Sequence, residues 1–231
     1  MTSLFQLPAE LWVSLWLTIR LAAVVTVLLM LLSLGLGYWF SVSRWRWLMV
    51  IETLVNMPIV LPPTVIGFYL LALFAPDEPL GRFWFTITGS TLSFTFWGLV
   101  VGSMLYSLPY AVQPVSAAFR SVARSHIDAA ISMGATPWRA FWRITVPLSR
   151  RGLLTGAILT FAHTLGEFGV VVMLGGSIPG ETRVASIALY DEVQKLNYPT
   201  AHTFAALLLV ISFVLLFLLG LLQKHDRASQ S

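Results

Sequence analysis

The sequence predicts an all-α protein that crosses a membrane about five times, and three observations carry that expectation. Hydrophobic residues make up 57% of the 231 residues and charged residues only 10%, against about 25% charged in a typical soluble domain. The apolar residues gather into blocks of roughly 20 residues or more, the length a helix needs to cross the hydrocarbon core. Lys and Arg concentrate in alternate segments between those blocks. The mean hydropathy of +0.82 and a pI near 9.8 agree with a basic membrane protein. The absence of cysteine excludes a disulfide framework and thiolate metal or redox chemistry.

The first apolar block extends from Leu11 to Phe40, and Arg20 falls inside it. A charge at bilayer depth is costly, so the span is placed near residues 18–40. Trp12, Trp16 and Arg20 are then left at the interface, where aromatic rings and long cations are favoured. The second span, near 48–74, carries Pro58, Pro62 and Pro63. The third lies near 92–112 with Pro109 close to its end, the fourth near 152–174 and the fifth near 203–222. No basic residue precedes the first run, which is too long for a signal-peptide core, so it is expected to be a mature span. With no internal repeat and no long polar stretch, residues 1–231 form a single membrane domain.

An odd number of spans puts the termini on opposite sides. With the N-terminus outside, Arg44, Arg46, Arg120, Arg124, Arg139, Arg143, Arg150, Arg151, Lys224 and Arg227 face the cytoplasm, and Arg82, Arg183 and Lys195 face out. Setting Arg20 aside, ten inside against three outside follows the positive-inside rule.

The cytoplasmic loop, 114–149, is basic and carries helix punctuation. At helical spacing, Phe119, Val122, Ala123, Ile127, Ala130 and Ile131 share one face, while Arg120, Arg124, Ser125, Asp128 and Ser132 share the other. Gly134 suits the position past a helix end, Thr136 an N-cap and Pro137 the first turn of a new helix. Two short helices meeting at Gly134 are expected, with Pro147 ending the second. A helix-turn-helix also joins two short helices, but a segment tethered between two spans could hardly enter a major groove, so no nucleic acid is expected. A basic loop lying on anionic lipid would account for the arginines alone. Docking to a protein needs more: a rigid knob, a small-residue surface and firm attachment to the next span. Gly134, the Ala129-Ala130 pair and Pro147 provide them.

Two further segments could shape a path through the membrane. Pro58, Pro62 and Pro63 interrupt the second span, and the carbonyls they free are tolerated at depth where the backbone meets protein or a wet cavity. A kinked, packed helix is the plainer reading. In the fourth span His163 and Glu167 stand four residues apart on one helical face. An intramembrane carboxylate is a functional candidate, or a structural partner for Arg20, Arg151 or backbone N–H groups. It is a poor ligand for an anion, because like charges repel. Residues 175–183 read as an outer loop. Residues 185–196 read as a helix lying along or dipping into the outer membrane face, because Asp191, Glu192 and Lys195 interrupt it. No phosphate-loop motif is present, so ATP hydrolysis has to come from a partner, and no metal site is expected.

The run Asp128-Ala129-Ala130, with Gly134, Ile144 and Val146-Pro147 following at fixed spacing, resembles the cytoplasmic-loop signature of ABC-importer permeases. Asp128 replaces the usual Glu and Val146 the usual Leu. The Leu61-Pro62-Pro63 run, Gly166-Glu167-Phe168-Gly169 and the stretch from Ile178 to Arg183 are similar to the molybdate-transporter permeases, relatives of the sulfate and thiosulfate permeases. This resemblance implies the type I ABC-importer permease fold in a bacterial plasma (inner) membrane, without catalytic residues or a cofactor of its own. It implies a homodimer enclosing one pore, two copies of a cytoplasmic ATPase holding ATP and Mg, and a periplasmic or surface molybdate-binding protein.

On the same ground Asp128, Ala129, Ala130, Gly134, Ile144 and Pro147 form the coupling loop. Pro62, Pro63, Thr64, Gly67, Gly166, Glu167, Phe168 and Gly169 are the pore or gate candidates, and Ile178, Pro179, Gly180 and Thr182 form an outer loop. Thr64 and Thr160 are candidates to line the path. Three alternatives stay open: sulfate, thiosulfate or tungstate as cargo; a membrane enzyme using His163 and Glu167; and an ion-coupled carrier relaying protons through Glu167.

Overall fold

One helix, α1 (Ala9–Val42), reaches both ends of the molecule. The computed structural model describes residues 9–43 and 45–227. Arg44 lies outside them, as do the side chains of Lys224 and Arg227, so these three of the charges expected to face the cytoplasm are not placed. The first turns of α1 are helical because Leu11 and Leu15 pack against Ala185, Ala188 and Phe204, so the helix starts well before residue 18. Trp12 and Trp16 project from its opposite, exposed side. Arg20 lies within the helix, its guanidinium 4.5 Å from the centre of the Phe96 ring, a cation–π contact that offsets part of its desolvation.

The second apolar block is three pieces. Helix α2 (Leu48–Asn56) passes into a 3-10 turn at Met57–Ile59, and after Leu61-Pro62 the chain restarts as α3 (Pro63–Leu73), at 109° to the preceding helical run. Pro62 adopts an extended conformation (φ −56°, ψ 133°) and Pro63 opens α3, where its missing N–H costs nothing. A short amphipathic helix, α4 (Pro79–Thr88), follows.

Helix α5 (Phe96–Ser121) begins at Thr95, whose hydroxyl accepts from the Gly98 N–H at 3.2 Å. It runs through Pro109 and Pro114, so the inter-span loop starts at Val122 and residues 114–121 belong to the span. An interior proline costs about 3 kcal/mol in an isolated helix. Here α5 is held between α1, α9 and α10, and neighbouring helices make such breaks tolerable. Its burial also explains its Ser, Gly and Pro content, since a helix shielded from lipid need not be uniformly apolar.

The hairpin after α5 comprises α6 (Arg124–Ser132), α7 (Pro137–Ala140), a π turn at Phe141–Thr145 and α8 (Val146–Leu148). Pro147 does not end a helix: it stands in the first turn of α8, and the chain enters α9 (Arg150–Leu165) after Ser149. The wider π turn just ahead gives room to a ring that would clash with the carbonyl four residues back. The fourth block is bent by 58° between α9 and α10 (Gly169–Gly175). Residues 185–196 form α11 (Ala185–Gln194), buried through Ala185, Ile187, Ala188 and Glu192 and packed on α1 and α12 (Tyr198–Arg227) rather than lying free on a membrane face.

Every regular element among the described residues is helical. Two helices, Glu10–Val42 and Tyr198–Leu221, are long and apolar enough to cross a membrane alone, and the two bent pairs raise this to four. At 26 residues, or about 39 Å, α5 has their length but is not among the helices apolar enough to cross alone. The main core joins Leu21, Val25 and Leu29 of α1 to Leu99 and Ala111 of α5, Val170 and Leu174 of α10, and Phe74. Glycines let α9 approach α5: a Cβ on Gly152 would overlap that of Ala118 and come within 2.9 Å of the Pro114 carbonyl oxygen. Gly152→Val is therefore expected to destabilise the protein by about 1–3 kcal/mol. A lower melting temperature than for Gly220→Ala, where a Cβ meets open space, would show it.

Candidate functional site

The two broken helical pairs meet. A Cβ at Gly169 would lie 2.8 Å from the Pro63 Cβ and 3.3 Å from the Thr64 nitrogen. Reciprocally, a Cβ at Gly67 would lie 2.7 Å from the Met173 Cβ and 3.3 Å from the Val170 Cα. The backbones of α3 and α10 thus touch through one glycine from each: Pro63 and Thr64 lie against Gly169, and Gly67 against Val170 and Met173. The opposite side of α3 is open: Phe68 and Tyr69 are exposed, as is Val60 just before it. Phe168 turns the other way, onto the Tyr190 ring at 5.1 Å.

Glu167 and His163 do not share a helical face, because α9 ends at Leu165 and Glu167 follows in the bend. His163 is held by α5: its Nδ1 lies 2.9 Å from the Ser107 hydroxyl, and its ring stacks on Tyr110 at 3.9 Å. Ser107 also bonds Thr164 at 2.9 Å. The Glu167 carboxylate is buried beside Ser103 and has no well-formed hydrogen bond among the described residues. Its backbone carbonyl accepts from Ser186 at 2.6 Å. Arg20 does not pair with it, being engaged with Phe96. Arg151 lies at the opposite end of α9, about 21 Å of helix before Leu165. Thr160 is fully buried and so does not face an open path, whereas Thr64 is exposed.

The loop at 178–182, expected to face outward, is built on Thr182. Its hydroxyl donates to the Gly175 carbonyl at 2.6 Å and accepts from the Ile178 N–H at 3.1 Å, closing the turn through Pro179 and Gly180. Beside it lies a cluster that sequence reasoning missed. Arg183, almost fully buried, stands 3.2 Å from Glu10, 3.0 Å from Asp191 and 3.4 Å from Glu192. Glu192 also accepts from Lys195 at 2.9 Å and from Asn197 at 2.6 Å. Asp191 and Glu192, read with Lys195 as interruptions of a membrane-surface helix, are instead tied through Arg183 to Glu10 of α1, and Lys195 pairs with Glu192. The sequence signal was an arginine with acidic residues eight and nine positions later. Glu10 contributes across 173 positions.

The hairpin lies at the other end of α1. Tyr38 and Phe141 meet edge to face at 4.7 Å, and Phe119 and Phe141 at 5.7 Å. Glu10 and Tyr38 are about 42 Å apart along the helix, close to the full thickness of a bilayer with its headgroups. Within the hairpin the expected punctuation is present. Gly134 has φ +88°, and the Thr136 hydroxyl accepts from the Arg139 N–H at 3.3 Å. Asp128, Ala129, Gly134 and Pro147 are exposed, Ile144 is half-buried and Ala130 is buried. The single amphipathic face does not form, because α5 stops at Ser121 and α6 starts at Arg124, leaving Ile131 exposed. A further tie comes from Arg120, which pairs with Glu52 of α2 and donates to the Phe40 carbonyl at 3.1 Å.

Two measurements check this geometry. A Cβ at Gly67 would lie 2.7 Å from the Met173 Cβ, so Gly67→Val is expected to destabilise the protein by about 1–3 kcal/mol. Its melting temperature should fall below that of the wild type; an unchanged value would contradict the α3–α10 contact. The hydrogen bond from Lys195, reinforced by Asn197 and by the charge of Arg183, holds the Glu192 carboxyl below its ordinary value of 4.5, against the opposing effect of burial. Its contribution to stability is full above 4.5 and is lost as pH falls through the lower folded-state value. Melting temperature against pH should show that acid loss, and Glu192→Gln should flatten it.

Comparison with known proteins places the chain in a family. Residues 30–227 match the model for the binding-protein-dependent transport system inner membrane component. The chain is 44% identical over 203 residues to the molybdenum transport system permease protein ModB of Azotobacter vinelandii, covering 88% of this chain and 90% of that one. It is 33% identical over 217 residues to the putative molybdenum transport system permease protein YvgM of Bacillus subtilis, covering 94% and 96%. It is 32% identical over 178 residues to the sulfate transport system permease protein CysT of a Synechocystis strain, covering 77% and 62%. Among solved structures, a bacterial ABC transporter involved in alginate import shares the fold, with a TM-score of 0.74 at 19% identity over 96% of this chain and 81% of that one. The chain therefore belongs to the inner-membrane components of binding-protein-dependent transport systems, and its fold is that of the ABC-importer permeases.

Proposed function

We propose that this chain, as a homodimer, forms the translocation path of an ATP-driven molybdate importer. The observation that carries the cargo is the identity to the Azotobacter vinelandii molybdenum permease, which extends over nearly the whole of both chains. Two copies of a cytoplasmic ATPase supply ATP and Mg binding, and a periplasmic or surface protein delivers the oxyanion. The N-terminus lies outside and the C-terminus in the cytoplasm, in keeping with the ten-to-three distribution of basic residues. The exposed knob around Asp128, Ala129 and Gly134 then faces the ATPase, and the Arg183 cluster faces out.

In this reading, closure of the paired ATPases moves the hairpin, and the tilted spans open the path outward to accept cargo. Reopening returns it inward. The Pro62–Gly67 and Gly166–Gly169 segments form the gate, since a pair of broken helices in contact can re-pack without exposing backbone to lipid. The open side of α3 faces the path or the second copy, and Ile178–Thr182 braces the outer end. The path itself binds weakly, because a tight site would trap the ion. Glu167, buried in the bend, is a structural element of the gate and not a ligand for the anion.

Sulfate is the second reading, favoured by the likeness to the Synechocystis permease. Uptake of labelled molybdate by cells carrying this chain with its ATPase and binding protein separates the two. Unlabelled molybdate should compete and excess sulfate should not; sulfate competing equally would overturn the cargo. Uptake that survives loss of the ATPase but collapses with the proton gradient would instead favour an ion-coupled carrier. In the same assay Gly134→Val, which forces a β-branched residue to φ +88°, should reduce ATPase co-purification and uptake by more than about tenfold, the effect of losing roughly 1.4 kcal/mol or more of docking energy. Normal membrane abundance of the variant is expected.

A further inference from the structure

An apolar groove runs along α1 where the hairpin and α9 leave it uncovered. Its wider part, a cavity of about 440 Å³, lies between Gly35 and Tyr38 of α1 and the aromatic side chains of Trp138, Phe141 and Trp142. A second cavity of about 380 Å³ shares Leu31 and Leu34 with the first and continues to Thr26. No acidic residue lines either part. Together they follow α1 from residue 26 to residue 38, about 18 Å of helix, close to the roughly 15 Å depth of one leaflet of hydrocarbon. The groove begins near the end of α1, where Trp138 and Trp142 are exposed as interfacial aromatic residues are. The residues that follow these two tryptophans are Arg139 and Arg143, both exposed.

We propose that this groove is a binding site for one anionic phospholipid, its acyl chain lying along α1 and its headgroup held by Arg139 and Arg143. Three features select this occupant. The length matches a single leaflet, the walls are hydrocarbon and aromatic, and two exposed arginines follow the tryptophans that line its hairpin end. The lipid would lie beside the direct Tyr38–Phe141 contact and cover the exposed rings of Trp138 and Trp142.

The test uses the full chain in nanodiscs containing equal phosphatidylglycerol and phosphatidylethanolamine, released gently and weighed by native mass spectrometry. The wild type should retain one phosphatidylglycerol in preference to phosphatidylethanolamine. In Gly35→Leu the new side chain enters open space, since nothing lies within 4 Å of the Cβ position. It fills the groove without a clash and should abolish that retention at an unchanged melting temperature. Arg139→Gln with Arg143→Gln should keep one lipid but lose the preference for the anionic headgroup. Retention that Gly35→Leu leaves intact would overturn the proposal, as would equal retention of both lipids by the wild type. A Gly35→Leu variant that loses its dimer instead of its lipid would overturn it too, showing a second copy in the groove. The readout involves neither cargo nor ATPase, so its failure is separable from failure of the transport reading.

Discussion

At membrane depth every backbone N–H and C=O group needs a partner within the protein, and that constraint arranges most of this molecule. A helix can be broken there only where something other than lipid faces the break. The two broken pairs obey it by facing each other: Pro63 sits on Gly169, and Gly67 sits on Met173 and Val170. Neither break would be tolerable alone on a lipid-facing surface, and each glycine is required because the other segment's backbone lies against it. The same logic places α5, with its two prolines, at the centre, behind α1, α9 and α10.

Charge is handled in a parallel way. Buried arginine is tolerated only when neutralised and hydrogen-bonded, and Arg183 is surrounded by three carboxylates from two helices. Arg20 uses the face of an aromatic ring instead. Glu167 has neither solution among the described residues, and it sits in the bend whose rearrangement the transport cycle would need.

What could be read from the sequence was local. Hydropathy located the apolar blocks, and Gly134, Thr136 and Pro137 marked the hairpin correctly, because a positive φ, a cap and a helix start are set by neighbouring residues. The double proline at 62 and 63 likewise announced a break. What could not be read depended on partners distant in sequence. The early start of α1 depends on Ala185, Ala188 and Phe204. The passage of α5 through Pro109 and Pro114 depends on the helices around it. The bend at Gly166 to Phe168 carries no proline, and without it His163 and Glu167 would have shared a face. Glu10 and Arg183 gave no sign of each other across the chain.

The contacts of α1 have a mechanical consequence. At one end its Glu10 is tied to the Arg183 cluster; near the other its Tyr38 is wedged against Phe141 of the hairpin. Phe141 also bears on Phe119 of α5. A force applied to the hairpin is therefore shared between two long helices before it reaches α9 through Ser149. One of those helices delivers it, some 42 Å away, to the loop around Thr182. Motion at the hairpin would in this way be felt at the far end of α1 through one continuous helix.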